Sequence, residues 1–130
     1  MVDGAIAAFM IVMGLGIIVI WTRDIVAGTQ FDHRHGRRHA RDVDGSLLLP
    51  HWLAEYTAAL GLLIGGAGLL AGTRWAGLVS AAALGALWYT SANSLGWALA
   101  LRDRRPYAIP MVVGLVGSST CLVALLATAV

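Results

Sequence analysis

The sequence contains no lysine and a single glutamate, so all nine basic residues are arginines and six of the seven acidic residues are aspartates. Charged residues make up only 12% of the 130 residues, whereas 58% are hydrophobic. This balance excludes an ordinary soluble domain and indicates a membrane protein. Nucleic-acid binding is also disfavoured, because the net charge of +2 comes from arginines confined to short segments between apolar runs. The single cysteine excludes an internal disulfide.

Four long stretches carry almost no charge and predict transmembrane helices. They lie near residues 4–22, 51–73, 75–101 and 106–130. Each is close to or above the ~20 residues that span a hydrocarbon core of about 30 Å. The stretches show no alternation of polar and apolar residues, which excludes a membrane barrel and leaves helices. We therefore predict that residues 1–130 form one all-α domain, an integral membrane bundle of four transmembrane helices.

Arginines indicate on which side of the membrane each connection lies. They crowd the polar loop 23–49 and the connection before the fourth span, whereas Arg74 stands alone between the second and third spans. Positively charged connections stay on the cytoplasmic side. We therefore predict a cytoplasmic loop 23–49, both termini on the outer side, and a location in the cell (inner or plasma) membrane.

The most informative segment is the predicted start of the second helix, Pro50-His51-Trp52-Leu53-Ala54-Glu55-Tyr56. Proline is common at a helix start, and a spacing of four residues places His51 and Glu55 on one face. A carboxylate inside a membrane span is costly without a partner, so Glu55 is a candidate for function. In the alternative interpretation, Glu55 pairs with His51 or an arginine and only stabilises the bundle.

Polar and aromatic residues recur along the third predicted helix. Tyr89, Asn93 and Trp97 are spaced by four residues, and Thr90 and Ser94 form a neighbouring polar stripe. These side chains either line a binding site or only form hydrogen bonds between helices, which is common in membranes.

Counting from the helix ends places Asn93 near the depth of Glu55, so we expect the two to face each other across one pocket open to the cytoplasm. Mostly apolar pockets with a few polar groups suit small lipophilic ligands. The predicted catalytic residues are Glu55, His51 and Asn93, and the predicted ligand-binding residues are Tyr89, Trp97, Trp88, Tyr56 and Arg23.

This pocket predicts a protein that binds a lipophilic small molecule of the isoprenoid, steroid or quinone class and transforms it if His51 and Glu55 act as an acid/base couple. One alternative is a non-catalytic accessory subunit of a larger membrane complex, docked through glycine faces such as Gly61 to Gly65 and Gly68 to Gly72. Another is a transporter formed by a homo-oligomer. The predicted partners are thus the lipid bilayer, a lipophilic molecule and a second membrane subunit of the same or another kind.

The segment 31–42 offers three histidines and two aspartates, yet it does not predict a metal site. Its spacing matches no closed zinc pattern, and interleaved arginines would repel a cation. A solvated loop that touches anionic lipid headgroups explains the same residues. No span carries a histidine near its middle for haem, so we predict neither a metal nor a cofactor.

One further pattern runs from Leu53 to Trp97. An acid stands near the start of a glycine-rich helix, followed by Gly72-Thr73-Arg74-Trp75-Ala76 and then by Trp88-Tyr89-Thr90. This pattern resembles the DoxX-like superfamily of four-helix membrane proteins. The resemblance implies a compact four-helix bundle, which in some members is a subunit of a quinone-linked oxidoreductase. The long loop rich in histidine and arginine departs from the short connection usual in that superfamily.

Overall fold

The computed structural model describes residues 2–27, 45–100 and 102–129. They form helices α1 (Val2–Ala27), α2 (Gly45–Leu70), α3 (Ala76–Ala100) and α4 (Ala108–Ala129), with a 3₁₀ helix at Arg102–Tyr107 before α4. The prediction of an all-α fold with four helices is confirmed. Most of the predicted loop, residues 28–44, lies outside the described residues, and so do the histidines and aspartates considered there as metal ligands.

Within the described residues, three segments are long and apolar enough to cross a membrane: Val2–Arg23, Leu49–Leu70 and Arg105–Thr128. Helix α3 is also long enough, with 25 residues. It is less apolar because tyrosine, threonine, serine and asparagine side chains follow one another between Tyr89 and Ser94. The third predicted span is therefore present as a helix, but it differs from the other three in carrying a polar segment.

Helix α2 begins at Gly45, six residues before the predicted start of the second span. Pro50 consequently lies in the second turn, and the prediction that it starts the helix is wrong. Proline has no N–H to donate to the carbonyl of residue 46, so the helix loses one hydrogen bond close to its N-terminus. Proline thus indicated the neighbourhood of a helix start, while the first helical residue lies upstream.

Consecutive helices pack antiparallel, α1 along α2, α2 along α3 and α3 along α4, whereas α1 and α4 meet over a shorter length. Small residues bring α1 and α2 together: a Cβ added at Gly14 would lie 3.0 Å from the Ala59 carbonyl oxygen. A Cβ added at Gly66 would lie 3.1 Å from the Ala7 carbonyl oxygen. Close approach of backbones through small residues is the packing expected between membrane helices.

The core lies mainly among α1, α2 and α3. Its largest fully buried apolar side chains are Met10, Leu62, Leu84 and Leu87. Gly65 lies at the centre of this contact, since a Cβ there would come within 2.8 Å of the Met10 methyl and 2.9 Å of the Ser80 hydroxyl. Gly65 therefore packs inside the bundle, where no partner subunit can reach it.

The turn between α2 and α3 is closed by a Schellman motif. Gly72 adopts φ +64°, and its N–H donates to the Leu69 carbonyl while the Thr73 N–H donates to the Gly68 carbonyl. Gly72 is therefore a helix cap and does not pack against another helix of this bundle. Gly68 supports the turn instead, because a Cβ there would lie 2.7 Å from the Trp75 ring.

Candidate functional site

Glu55 lies on the inward side of α2 with only 3% of its surface exposed. Ser94 Oγ on α3 donates a hydrogen bond to Glu55 Oε1 over 3.1 Å, and Trp21 on α1 lies beside the same carboxyl group. His51 Nε2, one turn earlier on α2, lies 3.9 Å from the same oxygen. The carboxyl group is thus a junction of three helices.

The pattern of buried positions on α3 explains why Ser94 reaches this junction. The inward positions recur every three or four residues, at Leu87, Ser91, Ser94 and Ala98. Neighbouring residues on a helix point about 100° apart, so Asn93 leaves this face when Ser94 is on it. Asn93 is exposed, and the arrangement in which it faces Glu55 is not the one observed.

Two further contacts join α1 to α2 beside the carboxyl group. The Trp21 and His51 rings meet edge to face, with centroids 5.0 Å apart and planes at 82°, a favourable geometry for aromatic rings. The hydroxyls of Thr22 and Tyr56 share a hydrogen bond of 2.8 Å. His51, Tyr56 and Glu55 are therefore brought together, but each is engaged with α1 or α3.

The aromatic residues predicted as pocket walls lie elsewhere. Tyr89 is 66% exposed and Trp88 is 47% exposed. Both lie on the side of α3 that faces away from the other helices, which is called here the outer side of α3. The side chain of Trp97 lies outside the described residues. Neither Trp88 nor Tyr89 encloses the buried Glu55 carboxyl, because Ser94 and Trp21 surround it instead.

A cleft opens between the C-terminal part of α1 and the start of α4. It has a volume of about 340 Å³ and is lined by Val19, Ile20, Arg23, Pro106, Tyr107 and Pro110. Arg23, predicted to bind ligand at the mouth of a Glu55 pocket, borders this separate cleft. The cleft and the carboxyl junction thus lie on different sides of α1, at the same helical turns.

The cleft arises because α1 and α4 touch at one end and separate at the other. Phe9 and Met13 lie against Gly117 and Gly114, and these contacts join the helices along the N-terminal half of α1. This site was not predicted from the sequence. Pro106 lies in the 3₁₀ helix and Pro110 in α4, so their spacing gave no signal of a shared face. The cleft depends on how α1 packs against α4.

Among the described residues, no group of three or more histidine, cysteine, aspartate or glutamate side chains is arranged to hold a metal ion. Cys121 is half-buried and free, and it packs against the hydrophobic core. The polar groups in this part of the chain that bear on ligand binding include the carboxyl junction and the arginine of the cleft.

No family model matches the chain, and neither a curated protein nor a solved structure matches it. The resemblance to the DoxX-like superfamily stays a prediction.

Proposed function

We propose that the protein is a multi-pass protein of the cell membrane that binds a lipophilic small molecule in the cleft between α1 and α4. The cleft itself supports this proposal. Its volume of about 340 Å³ falls within the ~300–1,000 Å³ range of small-molecule sites. Apolar walls with few polar groups are also what such sites use to hold a lipophilic ligand.

The membrane placement is supported by the surfaces of the helices. Three segments are long and apolar enough to span, and their exposed side chains include Val12, Val19, Val116 and Leu126. Helix α3 packs between α2 and α4, so it crosses the membrane with them as the fourth span. The arginines of the first and third connections support an orientation with both termini on the outer side.

The polar groups of the cleft favour a ligand with an oxygen-bearing head. Arg23 offers five N–H donors and no acceptor, so it binds a carbonyl, hydroxyl or phosphate oxygen. Val19, Ile20 and the two proline rings contact the apolar part of the ligand. Quinones, steroids and isoprenoid alcohols or phosphates combine such a head with a lipophilic body.

The geometry supports binding more than acid/base conversion. Glu55 is 3% exposed, and its carboxyl group accepts a hydrogen bond from Ser94 and lies beside Trp21. A general acid or base has to lie within hydrogen-bond reach of its substrate, whereas the cleft is not lined by Glu55. We therefore assign Glu55 and His51 to the joining of α1, α2 and α3.

The accessory-subunit alternative is no longer supported by the predicted glycine faces, because Gly65 and Gly68 are buried inside the bundle. Substitution of either glycine would disturb the bundle before it disturbed a partner. An accessory role would have to use another surface, and the exposed outer side of α3 is the one that differs from a plain lipid-facing helix.

The proposal is tested by native mass spectrometry of the detergent-purified protein with identification of co-purified lipids. We compare the wild type with Arg23→Gln and with a matched control, Arg74→Gln, which removes an exposed arginine from the opposite end of the bundle. We expect one specific lipophilic molecule in the wild type and control, and its loss from Arg23→Gln. Retention of bulk phospholipid alone by all three proteins would contradict the proposal.

A further inference from the structure

A row of exposed residues runs along the outer side of α3. It consists of Gly85, Tyr89, Asn93 and Gly96, which follow one another at helical spacing and are all exposed. We call this row the α3 outer face. The exposed hydroxyls of α4 donate to carbonyls of their own helix. The α3 outer face instead presents a phenol and an amide.

These two polar groups lie deep in the bundle. Glu55 is six residues inside the apolar segment that begins at Leu49, a distance of about 9 Å along the helix. The hydrogen bond from Ser94 puts α3 at the same level, so Asn93 lies at roughly this depth. Tyr89 is one turn further in, about 15 Å from the boundary and near the middle of a 30 Å core.

At that depth the amide and the phenol need hydrogen-bond partners. Within the described part of the chain, neither Tyr89 nor Asn93 forms a hydrogen bond. An unsatisfied polar group in hydrocarbon is costly, and the asparagine side chain is too short to reach the interface. The α3 outer face is therefore expected to be covered in the membrane.

We propose that the α3 outer face binds the same face of a second copy of this chain, on the basis of the membrane placement proposed above. An amide carries both donors and an acceptor, so two Asn93 side chains across a two-fold axis can satisfy each other. A Cβ added at Gly85 or Gly96 would meet nothing within 4 Å, which leaves room for the approaching helix. Small residues that flank a polar group are typical of contacts between membrane helices.

The contact is tested by disulfide crosslinking in native membranes. Single cysteines replace Gly85 or Gly96 in a Cys121→Ala background, and a control cysteine replaces Val116 on α4. Val116 is 62% exposed and near the level of Tyr89, because Gly114 packs against Ser91. Since a disulfide requires Cα atoms about 4.4–6.8 Å apart, we expect covalent dimers for both α3 cysteines and none for the control.

A second measurement isolates the amide. We expect Asn93→Leu to weaken dimerisation in detergent about tenfold, Asn93→Gln to restore most of it, and Ser119→Leu on α4 to leave it unchanged. A wild type that stays monomeric in native membranes would overturn the dimer. Crosslinking of the α3 cysteines only to a different membrane protein would also overturn it in favour of an accessory subunit.

Extraction with alkaline carbonate separates this inference from the proposal on which it rests. If the protein is released from membranes, the membrane placement fails and the dimer fails with it. If the protein stays in the membrane and the α3 cysteines do not crosslink, only the dimer is wrong.

Discussion

Ser94 on α3 donates a hydrogen bond to the carboxyl Oε1 of Glu55 on α2, and the two residues are 39 positions apart in the chain. With Trp21 on the same carboxyl group, this contact connects three of the four helices through one side chain. Glu55 is therefore a polar contact point shared by α1, α2 and α3.

We expect Glu55→Ala and Ser94→Ala each to lower the free energy of unfolding in mixed detergent micelles by about 1–3 kcal/mol, because each leaves a buried polar partner unsatisfied. Their effects should not add, with a coupling energy of roughly 1 kcal/mol in a double-mutant cycle. Glu55→Gln keeps an acceptor for Ser94 and should be milder than Glu55→Ala. Additive single effects would show that the contact does not stabilise the bundle.

Gly65 should tolerate no side chain, whereas Gly16 should. A Cβ at Gly65 would lie 3.1 Å from the Ser80 Cα, which belongs to the backbone of α3. We expect Gly65→Ala to cost about 1–3 kcal/mol, as overpacking in a filled core does. Gly16 has open space around it, so Gly16→Ala should be neutral or slightly stabilising in the same unfolding assay.

The turn at Gly72 should be sensitive to any residue with a Cβ. Its φ of +64° lies in the left-handed region, which costs other L-residues roughly 1 kcal/mol. We expect Gly72→Ala to lower stability by about this amount and Gly72→Asn by less, because asparagine adopts this conformation more readily. Equal effects of the two substitutions would argue against the Schellman motif as the source of the cost.

Ser80 should be replaceable by alanine at no cost. Its hydroxyl is fully buried and is the one buried side-chain oxygen or nitrogen without a hydrogen-bond partner among the described residues. A buried hydroxyl that lacks a partner is unfavourable by about 1–3 kcal/mol. We therefore expect Ser80→Ala to leave the free energy of unfolding unchanged or to raise it. A clear decrease in the free energy of unfolding would indicate that the Ser80 hydroxyl has a hydrogen-bond partner in the membrane-embedded protein.

The helices could be predicted from the sequence because an uncharged run long enough to cross a bilayer must satisfy its own backbone hydrogen bonds. Such a segment can do so only as a helix. The rotation of each helix about its own axis could not be predicted. Asn93 and Ser94 are both polar and adjacent, and only the packing of α3 against α2 decides which of them reaches Glu55. The spacing of Tyr89, Asn93 and Trp97 was real, but Tyr89 and Asn93 mark the outer side of α3.

The cleft could not be predicted from the sequence, for a different reason. It depends on how far α1 and α4 separate beyond the Phe9 contact with Gly117, and the two helices are far apart in the chain. Arg23 could be identified as a ligand-binding candidate from its position, while its neighbours Tyr107 and Pro110 required the tertiary arrangement.

The most direct test of the cleft as a ligand site is photo-crosslinking in native membranes from a benzophenone amino acid placed at Ile20. Val12, which is 66% exposed on α1 and does not line the cleft, provides the control position. We predict that the Ile20 probe captures one lipophilic small molecule, identified by mass spectrometry, and that the Val12 probe captures only bulk lipid. Identical phospholipid adducts at both positions would contradict a ligand site between α1 and α4.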